Sequence, residues 1–141
     1  CSDLSEIAHY ARVDNVQFRL LKSNTHGSYT FILDATKEVP KRLQHPKRNT
    51  IGLRIPDHPV ALALLEELGE PLLSSSLIMP GEEEIMHDAK EIKERLSRQV
   101  DLVIDGGPVG MESTTVIDLT GSAPVLIRKG KGDVSPFVTE E

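Results

Sequence analysis

Tryptophan is absent, cysteine occurs once, and aromatic side chains make up 4% of the 141 residues. With only Cys1 available no internal disulfide can form, and nothing points to an oxidising compartment, so the cytoplasm is the expected location. No apolar run approaches the ~20 residues of a membrane-spanning helix and no signal-peptide pattern opens the chain, so no membrane partner is expected. The histidines, His9, His26, His45, His58 and His87, are scattered without a pair at metal-ligand spacing, and no metal site is expected. Repeats, low-complexity tracts and cuttable linkers are missing as well. Positive charge is in deficit: 16 Lys and Arg against 22 Asp and Glu give a net charge of -6. That balance argues against a surface given over to nucleic-acid phosphates, while leaving room for a local basic patch.

What remains is enough for one folded domain over residues 1–141. Hydrophobic residues make up 38% and charged residues 27%, a mixture that can bury a core and stay in solution. Asp3, with Glu6 three positions on, resembles a capping box and predicts a helix over residues 4–10. Asp14 caps a second helix whose apolar face carries Val16, Phe18, Leu20 and Leu21. In YTFILDAT, Tyr29, Phe31 and Leu33 alternate with Thr30, Ile32 and Asp34, as in a strand with one buried face.

A polar connector over residues 37–49 follows, in which Pro40 can start one helical turn. Its cations, Lys37, Lys41, Arg42, Lys47 and Arg48, read as a solvated surface, with a phosphate-contacting patch as the sharper alternative. TIGLRI, residues 50–55, is a strand stopped by Pro56. Pro59 then opens a helix that Gly69 closes, so apolar from Val60 to Leu65 that it is expected to pack deep against a sheet. Asp88 caps a polar helix with Ile92 and Leu96 at i, i+4, residues 101–105 read as a short buried strand, and TTVIDL and PVLIRKG as two more. Glu82, Glu83 and Glu84 read as an exposed acidic turn.

The stretch PLLSSSLIMPG, residues 71–81, is placed to be a functional strand end. Leu72 and Leu73 enter like a buried strand, and Ser74, Ser75 and Ser76 arrive before any turn signal, completing an expected βαβ unit. Hydroxyls and amides at a strand's carboxyl end suit phosphate or carboxylate oxygens, and open α/β sheets hold ligands there. The competing reading is a polar loop closed by Pro80 and Gly81. Cys1 as first residue sets a thiol beside an amine, as in an N-terminal nucleophile, but it stands just before a helix start and not at a strand mouth. A chain cut from a longer polypeptide is the preferred explanation.

Four stretches, GSYTFIL, TIGLRIPDHPVALALLEELGEPLLSSS, DLVIDGG with STTVIDL, and VLIRKGKGD, together resemble the YrdC-like family of threonylcarbamoyl-AMP synthases, most closely its YciO branch. The resemblance covers nearly the whole chain and agrees in order and spacing. It implies an α/β fold, a twisted mixed β-sheet with packed helices, around a cavity that takes ATP and an amino acid. In that family bicarbonate, L-threonine and ATP, with magnesium accompanying the nucleotide, give threonylcarbamoyl-adenylate for modification of adenosine 37 in tRNA. By position the resemblance assigns nucleotide or substrate contacts to Arg54, Ser74, Ser76, Thr114, Thr115 and Arg128. Arginine forks bind phosphate or carboxylate oxygens, and hydroxyls fill the gaps between them. No side chain stands out as a general base. The alternative from a different class is a module that binds double-stranded RNA or tRNA without synthase activity.

Two departures from the family pattern matter. Where the synthases continue their serine run to an asparagine, this chain has Ile78. The family's N-terminal portion, with its Lys-x-Arg motif, has no counterpart, so the chain reads as an N-terminally truncated YrdC-like domain, expected to be inactive alone.

Overall fold

The computed structural model describes residues 1–110 and 112–138. In chain order the described residues form α1 (Leu4–Tyr10), α2 (Asn15–Asn24), β1 (Tyr29–Asp34), a 3-10 turn (Lys41–Leu43), β2 (Thr50–Leu53), α3 (Pro59–Leu68), α4 (Ala89–Leu96), β3 (Thr115–Asp118) and β4 (Val125–Arg128). They fall into two compact units, Cys1–Leu72 with the chain from Thr114 onward, and Leu73–Ser113. No helix among them is long and apolar enough to cross a membrane.

The first unit is built on a mixed four-stranded sheet in the order β2-β1-β3-β4. β1 pairs antiparallel with β2 and parallel with β3, and β3 pairs antiparallel with β4. The alternation in β1 is as expected: Tyr29, Phe31 and Leu33 are buried on one face. They join Leu53, Ile55, Ile117 and Leu119 from the other strands and their extensions, together with Ile7 of α1, Leu21 of α2 and Phe137. The rings of Tyr29, Phe31 and Phe137 lie with centroids 5.4 to 5.8 Å apart, close enough for their edges and faces to attract.

The caps decide where the helices start. Asp3 Oδ1 accepts the Glu6 amide at 2.8 Å, while the Glu6 carboxylate takes the amide and hydroxyl of Ser2, one residue before the cap, so only half of a capping box forms. The complete box lies at Asp14 and Gln17. α3 begins with Pro59, whose preceding His58 accepts the Val60 amide through Nδ1, and it ends at Gly69 with φ of 71°. That left-handed conformation is the one glycine takes without a Cβ penalty.

Several expectations are corrected. α3 buries only Leu65, and Leu64 and Leu68 are 42% and 49% exposed, so it is not packed deep on a sheet. Its apolar residues run all the way round the helix, and one face of them is covered. Residues 71–77 contain no strand, so no βαβ unit forms; the chain makes a single bridge, Ile78 to Ile85, instead. Residues 101–105 are not a buried strand either, with Leu102 74% exposed. β2 ends at Leu53, before Arg54, and every residue of β4 is exposed, so that strand hides neither face.

In the second unit Asp88 caps α4 as expected, accepting the Lys90 and Glu91 amides. Arg95 of α4 reaches Glu82 at 2.8 Å and Glu91 at 3.6 Å. The hydrogen bond from Arg95 holds the exposed Glu82 carboxyl below its usual range. The acidic turn is therefore tied to a helix.

Candidate functional site

Register brings the predicted arginines to one end of the sheet. Phe31 lies opposite Leu53, so Arg54 follows the last pair on the side of Thr30. Across the parallel pair Thr30 lies opposite Val116, and Val116 lies opposite Arg128. Between Val116 and Ile117 the register shifts, because Ile117 faces Leu126, and Ile127 is left without a partner. Such a bulge re-aims a side chain: without it Ile127, and not Arg128, would stand across from Val116. Thr30, Val116 and Arg128 form a file on the face opposite the core, since successive strand residues alternate faces and their neighbours Thr115 and Ile117 are buried.

At this end Arg128 grips the residue that precedes β3. Its Nε and Nη2 donate to the Thr114 carbonyl at 3.1 and 2.9 Å, and Nη2 also reaches Thr114 Oγ1 at 3.1 Å. Thr114 Oγ1 lies 2.8 Å from Thr30 Oγ1, a bond in which either atom can donate. The two protons on Arg128 Nη1 have no partner among the described residues. Arg54 is exposed, and its carbonyl accepts the Cys1 amino group at 2.8 Å. Among the described residues neither Arg54 nor Arg128 has a carboxylate within ion-pair distance. Lys129 and Lys131, both exposed, follow Arg128 directly.

Thr115 is separated from Thr114 by the strand pleat. It is fully buried, donates from Oγ1 to the Gly132 carbonyl at 2.7 Å and accepts the Gly130 amide at 3.0 Å. Its one proton is thus used in holding the turn after β4, with no donor left over for an anionic ligand. Tyr29 fastens the same turn from β1, its hydroxyl donating to the Asp133 carbonyl at 2.8 Å. Burial first, and then the nearby Asp133 charge, push the Tyr29 phenol above its ordinary pKa.

Ser74 and Ser76 lie in the second unit, exposed in a loop. Ser75 Oγ donates to the Ser76 carbonyl, which also accepts the Ile78 amide, so the run is a polar bend leading to the Ile78–Ile85 bridge. A shallow concavity lined by Asp3, Leu4, Ser5, Thr25, His26 and Ile55 contains none of the predicted site residues. Thr30 is the residue at the sheet end that sequence reading passed over, because only the pairing of distant strands brings it to Thr114.

The Sua5_yciO_yrdC family, described as telomere recombination, is matched over residues 1–130. The chain belongs to this family. Within the Sua5/YciO/YrdC family it is 60% identical to YciO of Escherichia coli K12 over 138 residues, 98% of this chain and 67% of that protein. The crystal structure of E. coli YciO superposes with a TM-score of 0.94. The threonylcarbamoyl-AMP synthase of Bacillus subtilis is 33% identical over 119 residues, 79% of this chain and 32% of that enzyme. The crystal structure of Pyrococcus abyssi Sua5 complexed with L-threonine, 27% identical, superposes with a TM-score of 0.82 over 92% of this chain and 38% of the other. The expected α/β fold with its mixed sheet is therefore the Sua5/YciO/YrdC fold. The chain spans about two thirds of YciO's length and well under half of either synthase.

Proposed function

We propose that the sheet end carrying Arg54, Thr114 and Arg128 is the anion-binding part of a site for ATP and a small amino-acid substrate, as in a threonylcarbamoyl-AMP synthase or a relative acting on a similar nucleotide-linked substrate. The observation that carries this is the placement of Arg54 and Arg128 in one row across the same end of the sheet, at its two edge strands, with no carboxylate among the described residues within ion-pair distance of either. Guanidinium groups left so are poised for phosphate or carboxylate oxygens. Magnesium would arrive with the nucleotide as part of the substrate.

The chemistry of such a site is positional. A carbamate, formed when the amino group of L-threonine bonds to the carbon of bicarbonate and a C–O bond breaks with loss of water, attacks the α-phosphorus of ATP through an oxygen, and the bond to the pyrophosphate oxygen breaks as the new one forms. The arginines lower the barrier by meeting charge that grows on the phosphoryl and leaving-group oxygens, and by holding the reactants in line. The product would serve adenosine 37 modification in tRNA.

A second reading, a module for double-stranded RNA or tRNA, draws on the run Arg128, Lys129 and Lys131. Isothermal titration of the chain with ATP, pyrophosphate and a tRNA separates the two. Saturable heat with pyrophosphate, weakened by Arg128→Lys, is expected, with weak heat or none from ATP, because the resemblance places further cationic contacts in the family's N-terminal portion. Binding of tRNA alone, weakening steeply with salt, would replace the nucleotide reading with the RNA one.

A further inference from the structure

We infer that Thr30 is a positioning residue for the Arg128–Thr114 pair, an inference that rests on reading this sheet end as an anion site. Thr30 has no place among the contacts that the family resemblance supplies. Its side chain leaves β1 on the face away from the core, half-buried, with Oγ1 2.8 Å from Thr114 Oγ1.

Proton accounting gives that contact a direction. A threonine hydroxyl offers one proton and two lone pairs. Thr114 Oγ1 already accepts from Arg128 Nη2 at 3.1 Å, so one lone pair is taken. If Thr30 donates, the second lone pair is filled, and the Thr114 proton becomes a free donor beside the unpartnered Nη1 of Arg128. If Thr114 donates to Thr30 instead, the free proton is that of Thr30, on the neighbouring strand and not on the residue that Arg128 holds. A negative ligand at Arg128 favours the first arrangement, because it sets the free hydroxyl proton on the residue that the guanidinium holds. Thr30 can supply the proton at no cost to any other bond that the structure shows.

The same contact fixes the arginine. Thr114 sits just before β3, and its carbonyl and hydroxyl are what Arg128 holds. With Thr30 on the neighbouring strand, both ends of the Thr114 side chain's freedom are closed. The exposed guanidinium is then held ready for a ligand instead of sampling rotamers, which lowers the ordering cost of binding. A plain cross-strand threonine pair, stabilising the sheet and nothing else, is the competing account.

The test uses Thr30→Val, which keeps the β-branched shape and removes the hydroxyl, and Thr30→Ser, which keeps the hydroxyl. Two readouts are taken on the 141-residue chain: hydrogen exchange of the Arg128 Nε–H by NMR without ligand, and pyrophosphate affinity by titration calorimetry. Thr30→Val should speed Nε–H exchange and weaken pyrophosphate binding about five- to tenfold, the loss of roughly one hydrogen bond, while Thr30→Ser restores both. Exchange unchanged in Thr30→Val overturns the inference whatever the ligand does. Faster exchange with unchanged affinity also overturns it, leaving a structural pair. If the wild-type chain takes no pyrophosphate at all, the anion-site reading fails, and the exchange rates decide by themselves whether Thr30 positions Arg128.

Discussion

Arg128 holds Thr114 by one carbonyl oxygen through two nitrogens at once, Nε at 3.1 Å and Nη2 at 2.9 Å. Lysine has a single ammonium on a flexible stem and cannot reproduce this fork. Since Arg128 is exposed, Arg128→Lys should cost stability less than ~1 kcal/mol. Its effect belongs on ligand response. In thermal melts with rising pyrophosphate the wild type should gain stability by mass action, and Arg128→Lys and Arg54→Lys should gain less. Equal gains in all three proteins would withdraw both arginines from the site.

Thr115→Val removes a buried hydroxyl that serves two backbone groups, the Gly130 amide and the Gly132 carbonyl. Leaving them unpaired should cost about 2 to 4 kcal/mol, whereas Thr115→Ser should recover most of it. Urea denaturation of the three proteins measures this. A Val variant as stable as the wild type would show that the turn after β4 is not held by Thr115.

Gly132 lies where a Cβ would come within 2.6 Å of the Tyr29 ring and 2.8 Å of the Ser28 carbonyl. Backbone oxygen cannot give way as a flexible side chain would, so Gly132→Ala should destabilise by about 1 to 3 kcal/mol. The same substitution at Gly110, where nothing lies within 4 Å, should be nearly silent. Chemical denaturation of the pair gives the contrast, and equal effects would contradict it.

Tyr29 sets an alkaline limit on the fold. Its phenol pKa is raised in the folded state, so the folded chain holds this proton more tightly than the unfolded chain. The corresponding stability is fully present below the unfolded value near ~10 and is lost as pH rises through the higher folded value. Denaturation midpoints from pH 7 to about 11 should therefore fall at the top of the range, and fall less in Tyr29→Phe. Parallel declines in both proteins would mean that other groups set the limit.

By the family resemblance Ile78 takes the place of an asparagine of the synthases, and it is 44% exposed beside its bridge to Ile85. Ile78→Asn should change the stability of this chain by less than ~1 kcal/mol and, in a full-length version, raise threonylcarbamoyl-adenylate formation, because an amide can pair with polar nucleotide atoms that an aliphatic group leaves unmet. No gain in a folded full-length variant would argue against setting Ile78 at the asparagine's place.

The elements that sequence reading found are those with local causes. Asp14 and Asp88 start helices by accepting amides within three residues, Pro59 and Gly69 bracket α3, and the alternation through Tyr29, Phe31 and Leu33 announces a one-sided strand. The errors have a common origin. Leu72 with Leu73, and residues 101–105, are short apolar runs without a period, and a strand exists only if another strand pairs with it. Among the described residues no partner strand meets them. The site divides in the same way. Arg54 and Arg128 were found by their match to a family pattern, but the bulge that turns Arg128 toward Thr114 is a matter of pairing, as is the bond between Thr30 and Thr114, 84 residues apart.

The parallel pairing of β1 with β3 also orders events in time. β1 with β2, and β3 with β4, are antiparallel neighbours joined by short or moderate stretches, and each can form early. Tyr29 must wait for Thr115, with all of Leu73–Ser113 in between. Closing so long a loop costs entropy before any contact repays it, and such pairings are the slow ones. On a ribosome adding ~5–20 residues each second, Tyr29, Phe31 and Leu33 emerge seconds before the strand that completes their cover. For that interval the core strand is an exposed apolar ribbon, and a holdase or a quick collapse of α1 and α2 onto it would decide how much of the chain survives to fold.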